Sequence, residues 1–175
     1  MKVTVTYNDK SVQVNLTDAQ LETLGLKEKK KPTGYERVEH NHRYYYLDST
    51  RRGAYRDLDI NSIDDNRYEE ANYYSDEKIA EANIRADRLM RKLRRFAAEN
   101  GGIPSVEDWK SHGKSKWYIH YEHFDSYGEL LLDPAVNMQR FGCVYFSTHE
   151  GALKALEEFR DELTWYFTEY QAMLY

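Results

Sequence analysis

One cysteine, three prolines and nine glycines are spread over 175 residues, and each scarcity excludes something. Cys143 alone cannot build an intramolecular disulfide framework. It lies in the apolar run Phe141-Gly142-Cys143-Val144-Tyr145-Phe146, where a buried and inert thiol is expected, and no base accompanies it for nucleophilic chemistry. None of the glycines has the spacing of a phosphate-cradling loop. No apolar run reaches the length of a membrane-spanning helix. The first residues, Met1-Lys2-Val3-Thr4-Val5-Thr6-Tyr7, alternate like a strand and lack the apolar stretch of a signal peptide, so a cytoplasmic location is expected.

What is present is tyrosine: sixteen, against six phenylalanines and three tryptophans. A tyrosine brings a large apolar ring and a hydroxyl that needs a partner, which suits the edge of a core or a recognition surface. With 41% hydrophobic, 14% aromatic and 31% charged residues, the chain has the composition of a folded domain.

The pattern along the chain predicts an α+β fold. Residues 1–26 read as a hairpin and a short helix: Val3, Val5 and Tyr7 alternate, Asn8-Asp9-Lys10 turn, and Val12, Val14 and Leu16 alternate again. Thr17 and Gln20 have capping-box spacing, and Gly25 stops the helix. The basic stretch 27–34 reads as a linker. Beyond it the chain looks duplicated. A shift of 72 positions lays Tyr46 on Tyr118, Tyr55 on Tyr127, Leu58 on Leu130, Tyr73 on Tyr145, Ser75 on Ser147 and Ala80 on Ala152. Two β-β-β-α units, 35–102 and 103–175, are therefore expected. Each would end in a long amphipathic helix opened by its serine. The first carries Ile79, Ala82, Ala86, Leu89, Leu93 and Phe96 on one face and stops at Asn100-Gly101-Gly102; the second carries Ala152, Leu156, Phe159, Leu163 and Phe167 and runs to about Tyr170.

Charge is segregated. Residues 56–82 hold nine acids against three bases, whereas residues 83–98 hold six bases against Asp87. Arg85, Arg88, Lys92 and Arg95 share one helical face and could dock phosphates or an acidic partner; basic residues complementing the helix dipole is the competing reading. Asp57, Asp59, Asp64 and Asp65 could present a field resembling nucleic acid, or form a solvated loop. As carboxylate pairs they could also hold Mg²⁺, but the downstream Glu-x-Lys of a nuclease is missing. His40 and His42 would share a face on a strand, yet no second ligand pair joins them, so no metal site, no cofactor and no catalytic centre are assigned.

The block Thr33-Gly34-Tyr35-Glu36-Arg37-Val38, with Tyr44-Tyr45-Tyr46, Asp64-Asp65-Asn66-Arg67-Tyr68 and Asn72-Tyr73-Tyr74-Ser75, resembles small accessory proteins of phages and prophages of Gram-positive bacteria. So do Lys116-Trp117-Tyr118-Ile119 and Val144-Tyr145-Phe146-Ser147. The resemblance implies a phage protein acting in an infected bacterial host cell. By analogy of class it further implies an inhibitor of a bacterial defence system, such as an anti-CRISPR protein that binds an effector nuclease or its guide RNA complex. Single-stranded RNA or nucleotide binding through arginine and tyrosine is the alternative, and a metal-dependent nuclease the third. A homodimer covering a tyrosine-rich sheet face or the aromatic stretch Trp165-Tyr166-Phe167 is compatible with the composition.

Overall fold

In the computed structural model, residues 2–26, 32–48, 53–125 and 127–173 are described. The chain divides into two compact units, Met1–Thr33 and Gly34–Tyr175. In the first, β1 (Lys2–Tyr7) and β2 (Lys10–Asn15) pair antiparallel with Tyr7 opposite Lys10. Only two residues remain for the turn, and Asn8 and Asp9 both take positive φ, 47° and 57°. That conformation matches the twist of a tight hairpin. Thr17 and Gln20 form the expected reciprocal cap of α1 (Asp18–Thr23), and Leu21 is its buried residue. Most of the expected linker, 27–31, lies outside the described residues. Its last member, Gly34, belongs to the second unit: a β-carbon there would lie 2.7 Å from Ile79 Cγ1.

The second unit spans the residues of both expected repeats. β3 (Arg43–Leu47) pairs antiparallel with β4 (Ala54–Leu58), and β5 (Lys116–His123) with β6 (Gly128–Ala135). The third strand is β7 (Tyr145–Phe146) in the second repeat and a single bridge, Tyr45 to Tyr74, in the first. These two pairings are equivalent under the 72-residue shift, since Trp117 faces Phe146. A second equivalence lay outside the identity pattern: Ser75 N–H donates to Gly34 C=O, and Ser147 N–H to Gly102 C=O. Both glycines have φ near +90°, which favours glycine.

Four expectations are corrected. The shift fails in the middle strands: Tyr46 pairs with Tyr55, nine positions on, but Tyr118 pairs with Asp133, fifteen positions on. The longer second hairpin places Tyr127 before β6, so Tyr55 and Leu58 have no counterparts there. Two helices also interrupt the repeat pattern, α2 (Ser62–Glu69) and α4 (Val106–Lys110). The helix-opening residues are Asp76 and Thr148 rather than the serines, which stand one position earlier with their N–H groups on the glycine carbonyls. Finally, the last helix is broken into α5 (His149–Glu158), α6 (Arg160–Trp165), a π-helical turn (Tyr166–Tyr170) and α7 (Gln171–Met173). Phe159 leaves helical geometry where its ring stands edge-on to Phe96.

The long helix α3 (Glu77–Glu99) organises the core. Leu89, Leu93 and Ala97 pack with Ile119, Phe146, Ala152, Ala155, Leu156 and Leu163. One turn nearer its start, Ala82 and Ala86 meet Trp165. That contact buries part of the aromatic stretch that was considered as a dimer face. Gly151 sits where α5 crosses the end of α3, and a β-carbon there would lie 2.2 Å from Asn100 O. Gly151→Ala is expected to cost about 2 kcal/mol in urea unfolding, whereas Gly113→Ala, which meets nothing within 4 Å, should leave the midpoint nearly unchanged.

Candidate nucleic-acid interface

The acidic residues 57–65 do not form an open negative edge. Asp64 is completely buried and Asp59 is 4% exposed. Tyr44 Oη donates to Asp64 Oδ1 at 2.5 Å, and the backbone N–H groups of Ile60 and Asn61 donate to Oδ2 at 2.9 Å each. Tyr73 Oη donates to Asp59 Oδ2 at 2.9 Å, and Arg37 holds the same carboxylate through two donors at 2.8 and 2.9 Å. Asp65 and Asp57 stay half-exposed, but Arg37 reaches Asp65 at 2.6 Å and Arg67 reaches Asp57 at 3.0 Å. Tyr44 and Tyr73 stack at 4.0 Å, and the Arg67 guanidinium lies 3.6 Å over the Tyr46 ring. The first repeat therefore has a tyrosine core (Tyr44, Tyr46, Tyr73) in which the Tyr44 and Tyr73 hydroxyls donate to buried carboxylates.

The electrostatics follow from those contacts. Arg37 is the main cause that Asp59 lies below the usual carboxylate range. Burial alone would raise Asp64, but the donors from Tyr44, Ile60 and Asn61 outweigh it and hold this carboxyl low as well. Burial, reinforced by Asp59, pushes the Tyr73 hydroxyl up to about 12.

The basic residues of α3 stand in a different situation. Arg85 alone is paired: its Nε donates to Glu162 at 2.9 Å, and its guanidinium covers Trp165 at 3.8 Å. Arg88, Arg91, Lys92, Arg94 and Arg95 form no ion pair among the described residues. Arg88 is half-buried and the other four are exposed. Arg88, Arg91, Lys92 and Arg95 fall at i, i+3, i+4 and i+7, on the side turned away from Leu89, Leu93 and Ala97. The last turn of α3 contains no basic residue. Since the dipole effect fades beyond the terminal turn, dipole complementarity explains little of this cluster. Arg85 thus leaves the predicted face and Arg91 joins it, a position the i+3 spacing from Arg88 could have supplied.

His40 and His42 lie in an exposed turn around Asn41, whose φ is +66°, and not on a strand. Among the described residues, no three His, Cys, Asp or Glu side chains could hold a metal ion. Burial raises the Cys143 thiol, which keeps it protonated. No helix among the described residues is long and apolar enough to cross a membrane. Two further residues carry no sequence signal. Lys116, 1% exposed, donates to the carbonyls of Lys114 and Val136 at 2.8 and 2.5 Å, and Arg140 covers Tyr118 at 4.8 Å.

A model of the homing endonuclease associated repeat matches residues 84–133. This is less than a third of the chain, running from within α3 through α4 and β5 into β6, and it includes Arg88, Arg91, Lys92, Arg94 and Arg95. The similarity suggests a protein related to phages or mobile elements. No curated protein and no solved structure matches the chain.

The Asp59 and Asp64 contacts make stability pH-dependent. Both folded values lie below the ordinary 3.8, so their contribution is complete above that value and is lost as pH falls through the folded values. Asp64→Asn is expected to cost about 2 kcal/mol at pH 7. It should also flatten the loss of stability below about pH 4, read from chemical denaturation across a pH series.

Proposed function

We propose that this chain binds nucleic acid, docking the phosphate backbone along the basic face of α3 formed by Arg88, Arg91, Lys92 and Arg95. The observation that carries this reading is four cations on one helical face with no acidic partner among the described residues, on a chain whose net charge is −5. A segment of eight helical residues extends about 10 Å, and a strand presents a charge about every 3.4 Å, so the face spans about three phosphates. Contacts of this kind fix position without reading sequence. The partial similarity to a repeat associated with endonucleases supports the same class of partner.

A second reading uses the same region against a protein. As a phage-encoded inhibitor of a bacterial defence system, plausibly an anti-CRISPR protein, the chain would present this face to an effector nuclease or its guide RNA complex. What favours it is the loop between β6 and β7, where Met138 is 70% exposed and Phe141 fully exposed. Apolar anchors of that kind are characteristic of protein interfaces.

Gel shift and fluorescence anisotropy with a short single-stranded RNA and a DNA duplex separate the two. Nucleic-acid binding should weaken with a slope of about −2 to −3 in log K against log salt. Substituting Arg88, Arg91, Lys92 and Arg95 by glutamine should abolish it without unfolding the chain. No binding to either probe at low salt would overturn the first reading, and salt-insensitive capture of a defence nuclease would favour the second.

A further inference from the structure

A cavity of about 490 Å³ opens beside the basic helix but on its other flank, enclosed by Leu89, Leu93, Ile119, Phe146, Leu163 and Phe167. This is the size range of pockets that take small organic ligands. Its walls are apolar and no Asp or Glu lines it. The solvent side is different: His123, Arg140 and Phe141 are exposed there. Arg140 has no carboxylate partner among the described residues; its guanidinium rests over Tyr118 at 4.8 Å. His120 also lines the cavity, and its Nδ1 is sealed from solvent with no hydrogen-bond partner. The nearest acid oxygen, Asp133 Oδ2, is 3.8 Å away, beyond bonding distance. Positive charge at the opening and greasy walls describe one kind of guest.

We propose that this cavity binds a single-tailed aliphatic carboxylate of medium length, its chain among Leu89, Leu93, Phe146 and Phe167 and its carboxylate on Arg140. The planar guanidinium fork matches two carboxylate oxygens, whereas one arginine cannot satisfy a doubly charged phosphate. Burying the tail supplies most of the affinity, because removing methylenes from water is favourable in proportion to the apolar area covered. The head group supplies selectivity. Val144, half-buried, also lines the cavity, so a larger side chain there would take up part of its space. The site shares no residue with the phosphate-docking face.

Calorimetric titration of the full chain with decanoate, decanol and butyrate tests this. Decanoate is expected to bind with one-to-one stoichiometry, at least about tenfold more tightly than decanol, and butyrate not measurably. Arg140→Gln should bring decanoate down to the level of decanol, and Val144→Trp should abolish binding of both, with circular dichroism confirming the fold. Absence of decanoate binding, or unchanged decanoate affinity in either variant, overturns the proposal. Should a variant fail to fold, the unaltered protein decides alone: equal affinities for decanoate and decanol overturn it, and a clear preference for decanoate upholds it.

Discussion

Which arginines meet a carboxylate inside the fold, and which do not, determines what the surface of this protein can do. Arg37 and Arg67 are held by Asp57, Asp59, Asp64 and Asp65, so each of these four aspartates is tied to a guanidinium. The tyrosine hydroxyls make that possible. Two carboxylates could not be buried beside stacked rings unless donors met their lone pairs, and Tyr44 and Tyr73 provide those donors from within the core. The abundance of tyrosine over phenylalanine thus has a structural cause here: the same ring that fills the core also solvates an ion.

The helix α3 carries the opposite outcome. Its apolar stripe is committed to the shared core with β5, β7 and α5, which fixes its rotation about its own axis. That rotation turns Arg91, Lys92 and Arg95 outward, with no ion pair to any acid among the described residues. The amphipathic period and the position of the free charge are therefore one constraint. A changed core contact that rotated the helix would move the basic face as well.

Much of the architecture was legible in the sequence, because hairpins and amphipathic helices announce themselves locally. The Thr17 cap, the β1–β2 turn and the apolar stripe of α3 all rest on residues within a few positions of each other. The duplication was visible where it has structural meaning, at Tyr73 and Tyr145 or Ala80 and Ala152, and misleading at Tyr55 and Tyr127, where hairpin length breaks the register. Among the candidate site residues, Arg88, Lys92 and Arg95 stand as exposed or half-buried cations, but Asp59 and Asp64 lie inside. Asp59 depends on Arg37 and Tyr73 and Asp64 on Tyr44, each more than ten residues away, and no local pattern encodes such pairings. Lys116 is the same case: its carbonyl partners come together only once β6 has folded back on β5.

Paired and free guanidinium groups are distinguished most directly by side-chain ¹H–¹⁵N resonances of arginine, followed while a short single-stranded RNA is added at low salt. The Nε signals of Arg88, Arg91 and Arg95 should move together with increasing RNA, while those of Arg37 and Arg67 stay in place. Movement of Arg37 and Arg67 with the α3 signals unaffected, or no movement at all, would contradict the division of charge on which the function rests.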